Sequence, residues 1–198
     1  MTTELSNTDK LREFVEELKR LKIDIIRPDI NKCFADFKSE KKNIYYALSA
    51  IKSVGREAIS NVVKEREKNG HFKSLEDFIS RVNPKDINKL QMEGLIKAGA
   101  FDDFEKNRNS LLKSVPKLIQ INKSIFDEKS SKQNTLFTAD LQESSKKLEL
   151  EKTQEWLTNE KLMNEFHSIG FYMSDHPLKV YKEYFLRSKI WSFKDFFD

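Results

Sequence analysis

Apolar residues recur three or four positions apart in a row of short segments, 47–52, 56–68, 74–81, 86–98 and 107–122. Gly55, Gly70 and Gly99 fall in the gaps. That spacing lays apolar side chains along one stripe of a helix, and glycine in the gaps suits tight hairpins or C-caps. Asn83-Pro84 marks a further turn. A chain punctuated in this way folds as several short helices packed on one another. With 5 Gly and 4 Pro in 198 residues, it is too poor in turn residues for an all-β fold. Two features precede the helical row. Asn7-Thr8-Asp9 offers N-caps, and Leu11, Phe14, Val15, Leu18 and Leu21 predict a helix to about Lys22. Ile23 to Ile26 is β-branched and stops at Pro28, and Ile44 to Tyr46 follows a charged turn, Ser39 to Asn43. The expected fold class is mainly α, with a small β-hairpin near the N-terminus.

The composition excludes several classes of function. One cysteine, Cys33, allows no internal disulfide, so a reducing compartment is expected. No apolar run approaches the ~18 residues of a membrane span, and Met1 to Lys10 lacks the apolar core of a signal peptide. A cytoplasmic protein without a membrane partner is the expectation. A net charge of +4 is compatible with nucleic acid without demanding it. His71, His167 and His176 stand far apart and are not paired with cysteine at metal-ligand spacing. Asp102-Asp103 is expected to be a solvated turn rather than a Mg²⁺ site, and no Walker-type loop occurs. The chain is therefore expected to hold no catalytic residues, metal or cofactor of its own.

The segment from Leu48 to Val63, LSAIKSVGREAISNVV, resembles a helix-hairpin-helix DNA-binding motif. In such a motif the second helix begins just after the turn, and its first N–H groups have no partner within the helix. They point outward with the positive end of the helix dipole and can hold a phosphate oxygen. Gly55 lets a phosphate come close, Val54 is the apolar plug, Ala58 is small where helices pack, and Lys52 and Arg56 add charge beside the turn. Ser53 stands where the usual hairpin has its first glycine, a role open to it if its φ is negative. Leu95 to Phe101, followed by a helix near Asn107-Arg108, looks like a second copy, with Lys97 and Gly99 as its candidate phosphate contacts. Asp102, Asp103 and Glu105 crowd that turn with negative charge.

After residue 122 the texture changes. Residues 123–150 are mostly polar and Ser-rich, a composition expected to form a mobile linker. Trp156, Leu157, Leu162, Met163 and Phe166 then restore a helical face over 151–198. His176 before Pro177 reads as structural, and Cys33 as a buried small residue. The stretch from Tyr181 to Asp198 has no stop signal, as expected of a piece of a longer protein.

The order of these segments is similar to the alpha subunit of bacterial DNA polymerase III. The likeness is carried by Asn7 to Lys10, Arg27 to Asn31 (RPDIN), Tyr46 to Lys52, Phe72 to Phe78, Leu95 to Phe101, Asn107-Arg108 with Leu111-Leu112, and Ile169 to Leu178. The resemblance implies that 1–40 is the end of a fingers region and 41–122 a tandem helix-hairpin-helix domain gripping duplex DNA without sequence preference. It implies a clamp-binding peptide on the linker 123–150, and helices over 151–198 leading to an oligonucleotide-binding barrel that the chain lacks. The palm carboxylates and the Mg²⁺ they hold would belong to the parent polymerase, as would contacts with other holoenzyme subunits.

Gln133-Asn134-Thr135-Leu136-Phe137 resembles the bacterial sliding-clamp motif. Leu136 and Phe137 are isolated apolar residues free to enter a pocket, and Gln133 can hydrogen-bond at its rim. The implied partner is the sliding clamp, the beta subunit. Two rivals are a stand-alone helix-hairpin-helix DNA-binding protein and a DNA glycosylase. A lyase-type glycosylase would show Lys where Glu57 stands, and Asp77, at about the distance of a glycosylase aspartate, lies in LEDF, which reads as a helix face.

Overall fold

The computed structural model describes residues 7–133, 148–188 and 190, and of 131–133 the backbone alone. Helix α1, Thr8–Arg20, starts where Asn7 accepts from the Lys10 N–H at 3.1 Å and buries Leu11, Val15 and Leu18. Strand β1 is Asp24–Ile26, β2 Lys38–Glu40 and β3 Asn43–Tyr45. β2 and β3 form the expected antiparallel hairpin, and β1 joins β3 in parallel, giving the sheet order β1-β3-β2.

Helices follow: α2 Arg56–Asn69, α3 Leu75–Arg81, α4 Lys89–Lys97, α5 Arg108–Gln133, α6 Thr158–Ile169 and α7 Lys182–Arg187. Among the described residues the fold is mainly α with one small sheet. α5 packs on α3 and α4, and α6 lies against α4. Phe72, Phe78 and Phe101 meet edge to face at 5.0 Å each, a favoured aromatic geometry. Phe37, Tyr46 and Phe171 form a second group that joins the sheet to the segment after α6.

Three expectations are corrected. Segment 47–52 is not an α-helix: it holds a 3-10 turn, Leu48–Ala50, between extended Ala47 and Ile51. Here Phe34 and Ala47 form a β-bridge, and the Leu48 and Ser49 N–H groups donate to Phe34 O and Ala35 O. Those long-range bonds take the donors that a helix start would leave open.

Residues 123–133, expected to belong to a mobile linker, are instead the end of α5, which runs to Gln133. Ile119, Ile121 and Ile125 continue its apolar stripe onto the core. The buried Asn122 amide donates to Ile79 O and Val82 O at the end of α3, and Lys129 Nζ donates to Ser80 O. Composition undervalued these polar groups because their partners are forty or more residues away in sequence.

Trp156 and Leu157 precede α6 rather than belonging to it. Residues 148–157 form an extended strap along α5. Glu151 O accepts from Ser110 Oγ, Ser114 Oγ accepts from the Glu151 N–H (2.8 Å), and Lys117 Nζ reaches Glu149 O (2.9 Å).

Candidate nucleic-acid interface

The first turn runs from the 3-10 segment to α2. Val54 is buried, as its role as plug requires, while Lys52, Ser53, Gly55 and Arg56 are exposed. Gly55 is the N-cap of α2 in an extended conformation (φ −77°, ψ 137°), and no side chain caps the helix. The N-termini of the next three helices are closed. Ser74 accepts from the Asp77 N–H, Asn88 and Gln91 form a reciprocal capping box, and Asn107 accepts from the Ser110 N–H. Of α2 to α5, only α2 keeps its first N–H groups free of side-chain caps among the described residues. A helix start of this kind attracts anions.

Two details differ from the sequence reading. Ser53 has φ +68°, not the negative value its role was expected to need. It takes the left-handed conformation natural to the glycine it replaces, at a cost of about 1 kcal/mol. Arg56 is not a free cation. Its Nε donates to Asp36 Oδ1 at 3.0 Å, and Nη2 binds Asp36 Oδ2. The hydrogen bond to Arg56 holds the Asp36 carboxyl below its ordinary value, so the pair is charged at neutral pH.

The turn is fixed from behind. The Lys52 N–H donates to Ser168 O at the end of α6 (2.9 Å). α4 approaches so closely that a Cβ on Gly94 would lie 2.8 Å from Lys52 O. Sequence reasoning missed Gly94 because a glycine inside a helical pattern gives no hint of what lies across from it.

The second turn, between α4 and α5, is put to another use. Gly99 is buried with φ +85°, and a Cβ there would lie 2.1 Å from Arg108 Nη2. No face of Gly99 remains for a phosphate, which corrects its expected role. The Lys97 carbonyl accepts from Arg108 Nη1 (3.0 Å), so Lys97 serves the same packing through its backbone. Arg108 is buried, its Nε bound to Asp102 Oδ1 at 2.7 Å.

The N–H groups that open α5 are also occupied. Arg108 N–H donates to Glu155 Oε2 (3.1 Å) and Asn109 N–H to Glu155 Oε1 (3.3 Å). Lys161 Nζ and the Trp156 N–H hold the same carboxylate. Burial pushes the Glu155 carboxyl up, but the bonds from Trp156, Lys161 and Arg108 outweigh it and keep the value below the ordinary one. Glu155 thus sits where a phosphate would bind. Beside this turn, Lys32 bridges Asp29 and Asp103 at 2.6 Å each. The hydrogen bonds it donates to Asp103 and then to Asp29 raise its ammonium well above the usual lysine value. These ion pairs line a cavity of about 360 Å³ between residues 25–32 and the second turn.

The remaining candidates lie elsewhere. Gln133 is the last residue of α5, and Leu136 and Phe137 fall outside the described residues. Cys33 is buried, and burial drives its thiol up to about 12. Asp77 pairs with Arg81 at 3.0 Å and accepts from the Lys73 N–H, which makes it part of a helix start. Among the described residues no group of His, Cys, Asp and Glu could hold a metal ion, and no helix is long and apolar enough to cross a membrane.

An uncapped helix start behind an exposed turn, with further short helices stacked beside it, is helix-hairpin-helix architecture, and residues 22–111 match the helix-hairpin-helix motif family. Similarity to whole proteins narrows this. The chain is 38% identical over 188 residues to DNA polymerase III subunit alpha of Borreliella burgdorferi, covering 92% of this chain and 16% of that relative. The relative of the same name from Caulobacter vibrioides is 37% identical over 179 residues, with 90% and 16% covered. That from Buchnera aphidicola subsp. Schizaphis graminum is 38% identical over 202 residues, with 97% and 17% covered. The chain belongs to the DNA polymerase III subunit alpha family and spans about a sixth of the length of these curated relatives.

Proposed function

We propose that this chain is the part of a replicative polymerase that holds duplex DNA by its phosphates and ties the enzyme to the sliding clamp. The uncapped start of α2, behind the exposed turn of Lys52, Ser53 and Gly55, carries this reading. Its N–H groups donate to a phosphate oxygen and Lys52 adds charge beside them, neither of which reads base sequence. Affinity for duplex DNA should therefore be weak, independent of sequence, and fall with salt by about 0.9 logarithmic units per phosphate contacted. Fluorescence titration of a short duplex over a tenfold salt range tests this. A binding constant unchanged across that range would leave the turn a purely structural element.

Around this core stand the further parts of the proposal. The parent polymerase carries out template-directed DNA synthesis with Mg²⁺ at carboxylates outside this chain, in the cytoplasm and within a larger holoenzyme. This chain alone incorporates no nucleotide. Gln133, Leu136 and Phe137 form the clamp contact. Burying two such apolar side chains contributes roughly 3–6 kcal/mol, so Leu136→Ala/Phe137→Ala should weaken clamp binding by at least about a hundredfold. Calorimetry with the clamp of the same organism measures this, and equal affinities would move the clamp contact elsewhere.

A further inference from the structure

The described residues other than glycine with positive φ are Lys22 (56°), Lys41 (55°) and Ser53 (68°). Ser53 belongs to the hairpin turn already described. Lys22 and Lys41 belong to one end of the sheet, and each stands where glycine is the favoured residue. Lys22 follows α1 in a C-terminal cap, with the Ile23 N–H returning to Leu18 O. Lys41 is the first of two residues turning the β2–β3 hairpin between the paired Glu40 and Asn43. The Asp24 N–H donates to Lys42 O at 3.1 Å, which brings the end of α1 beside that turn.

Lys22, Lys38, Lys41 and Lys42 are all exposed. Among the described residues none of the four pairs with a carboxylate, and Lys38 only covers the Phe34 ring, 4.2 Å from its centroid. Asp24 and Glu40 are exposed at the same end and offset part of the charge. Lysine on an edge strand such as β2 also discourages pairing with other chains. That need does not explain positions 22 and 41, which lie in turns outside the strands and where glycine would spare the backbone.

We propose that this end of the sheet, with Lys22, Lys41 and Lys42, together with Lys38 at the start of the edge strand β2, is a second phosphate-binding surface for duplex DNA, reached along the backbone from the α2 turn. The inference rests on the reading of that turn as a DNA contact. The two surfaces are linked by the Arg56–Asp36 ion pair, since Asp36 lies just ahead of β2. At about 3.3 Å per residue for extended chain, Lys41 stands at most roughly 17 Å from Asp36. That reach takes in several phosphates on one DNA strand, which advance about 3.4 Å per nucleotide along the axis.

The experiment measures duplex affinity against salt for the full chain and three variants, with thermal melting of each. Lys22→Gly/Lys41→Gly should melt at the same or a higher temperature, yet lose about two units of salt slope, one phosphate contact per lysine. Lys38→Gln/Lys42→Gln should lose slope with no change in melting. Lys52→Gln, in the α2 turn, reports on that turn separately. If Lys52→Gln lowers the slope and neither sheet variant does, the sheet surface is overturned and the turn stands. A lower melting temperature with unchanged slope would mean the lysines serve only the fold, which also overturns it. If the wild-type chain binds no duplex, both readings fall together.

Discussion

Ahead of α2 the chain turns through Lys52, Ser53 and Gly55 with its helix N–H groups uncapped, whereas ahead of α5 it turns through Gly99 and closes on itself. Both turns follow a short helical segment and introduce a helix. In the first, the glycine is exposed and a cation stands beside it. In the second, the glycine is buried, its open side is filled by the Arg108 guanidinium, and Glu155 takes the helix start. Similar local sequence therefore yields an uncapped helix start in one place and an occupied one in the other. The side chains that decide between them come from outside the motif. Asp36 comes from the sheet side and Glu155 from the strap after residue 147.

The comparison breaks most visibly at its glycines. Gly99→Ala should destabilise the chain by about 3 kcal/mol, through strain at positive φ and displacement of Arg108 from Asp102. Urea unfolding measures this, and a loss below about 1 kcal/mol would show that the second turn yields easily. Gly55→Val should do the reverse. Its Cβ would meet only the Gln91 amide at 3.3 Å and Ala58 at 3.9 Å, so the fold gives way little, losing about 1 kcal/mol or less. Duplex affinity should fall about tenfold as the side chain obstructs the phosphate. A folded Gly55→Val chain with full affinity would mean the phosphate sits elsewhere.

Glu155→Ala sharpens the comparison from the other side. Loss of the helix cap should cost about 1 kcal/mol. The Glu155 carboxyl is held below its ordinary value, so its stabilisation is complete above the unfolded value of about 4.3 and is lost as pH falls through the folded one. Unfolding curves at neutral and acid pH should therefore differ less for the variant than for the wild type. Its salt slope on DNA should not change, because Arg108 stays buried and Asp102 and Asp103 still repel phosphate. A slope larger by about 0.9 would show that Glu155 alone keeps the second turn from DNA. The smallest effect is expected at Ser53→Gly. Relief of the left-handed serine should raise stability by about 0.5–1 kcal/mol, with the DNA slope unchanged. A loss of binding there would give the serine hydroxyl a part in holding phosphate.

The sequence by itself determined the local elements and where the helix that follows the first turn begins. Apolar spacing, the cap at Asn7 and the glycine ahead of Arg56 are short-range signals, each read within a turn or two of helix. Tertiary structure alone decided which helix start stays open and how far the helices run. Arg56 meets Asp36 across 20 residues, Arg108 and Asn109 meet Glu155 across 47 and 46, and Asn122 holds α3 across 40 and 43. The physical reason is that a helix N–H or a guanidinium binds whichever anion packing brings within about 3 Å. That partner is set by how distant segments fold together, not by the residues next to it in sequence.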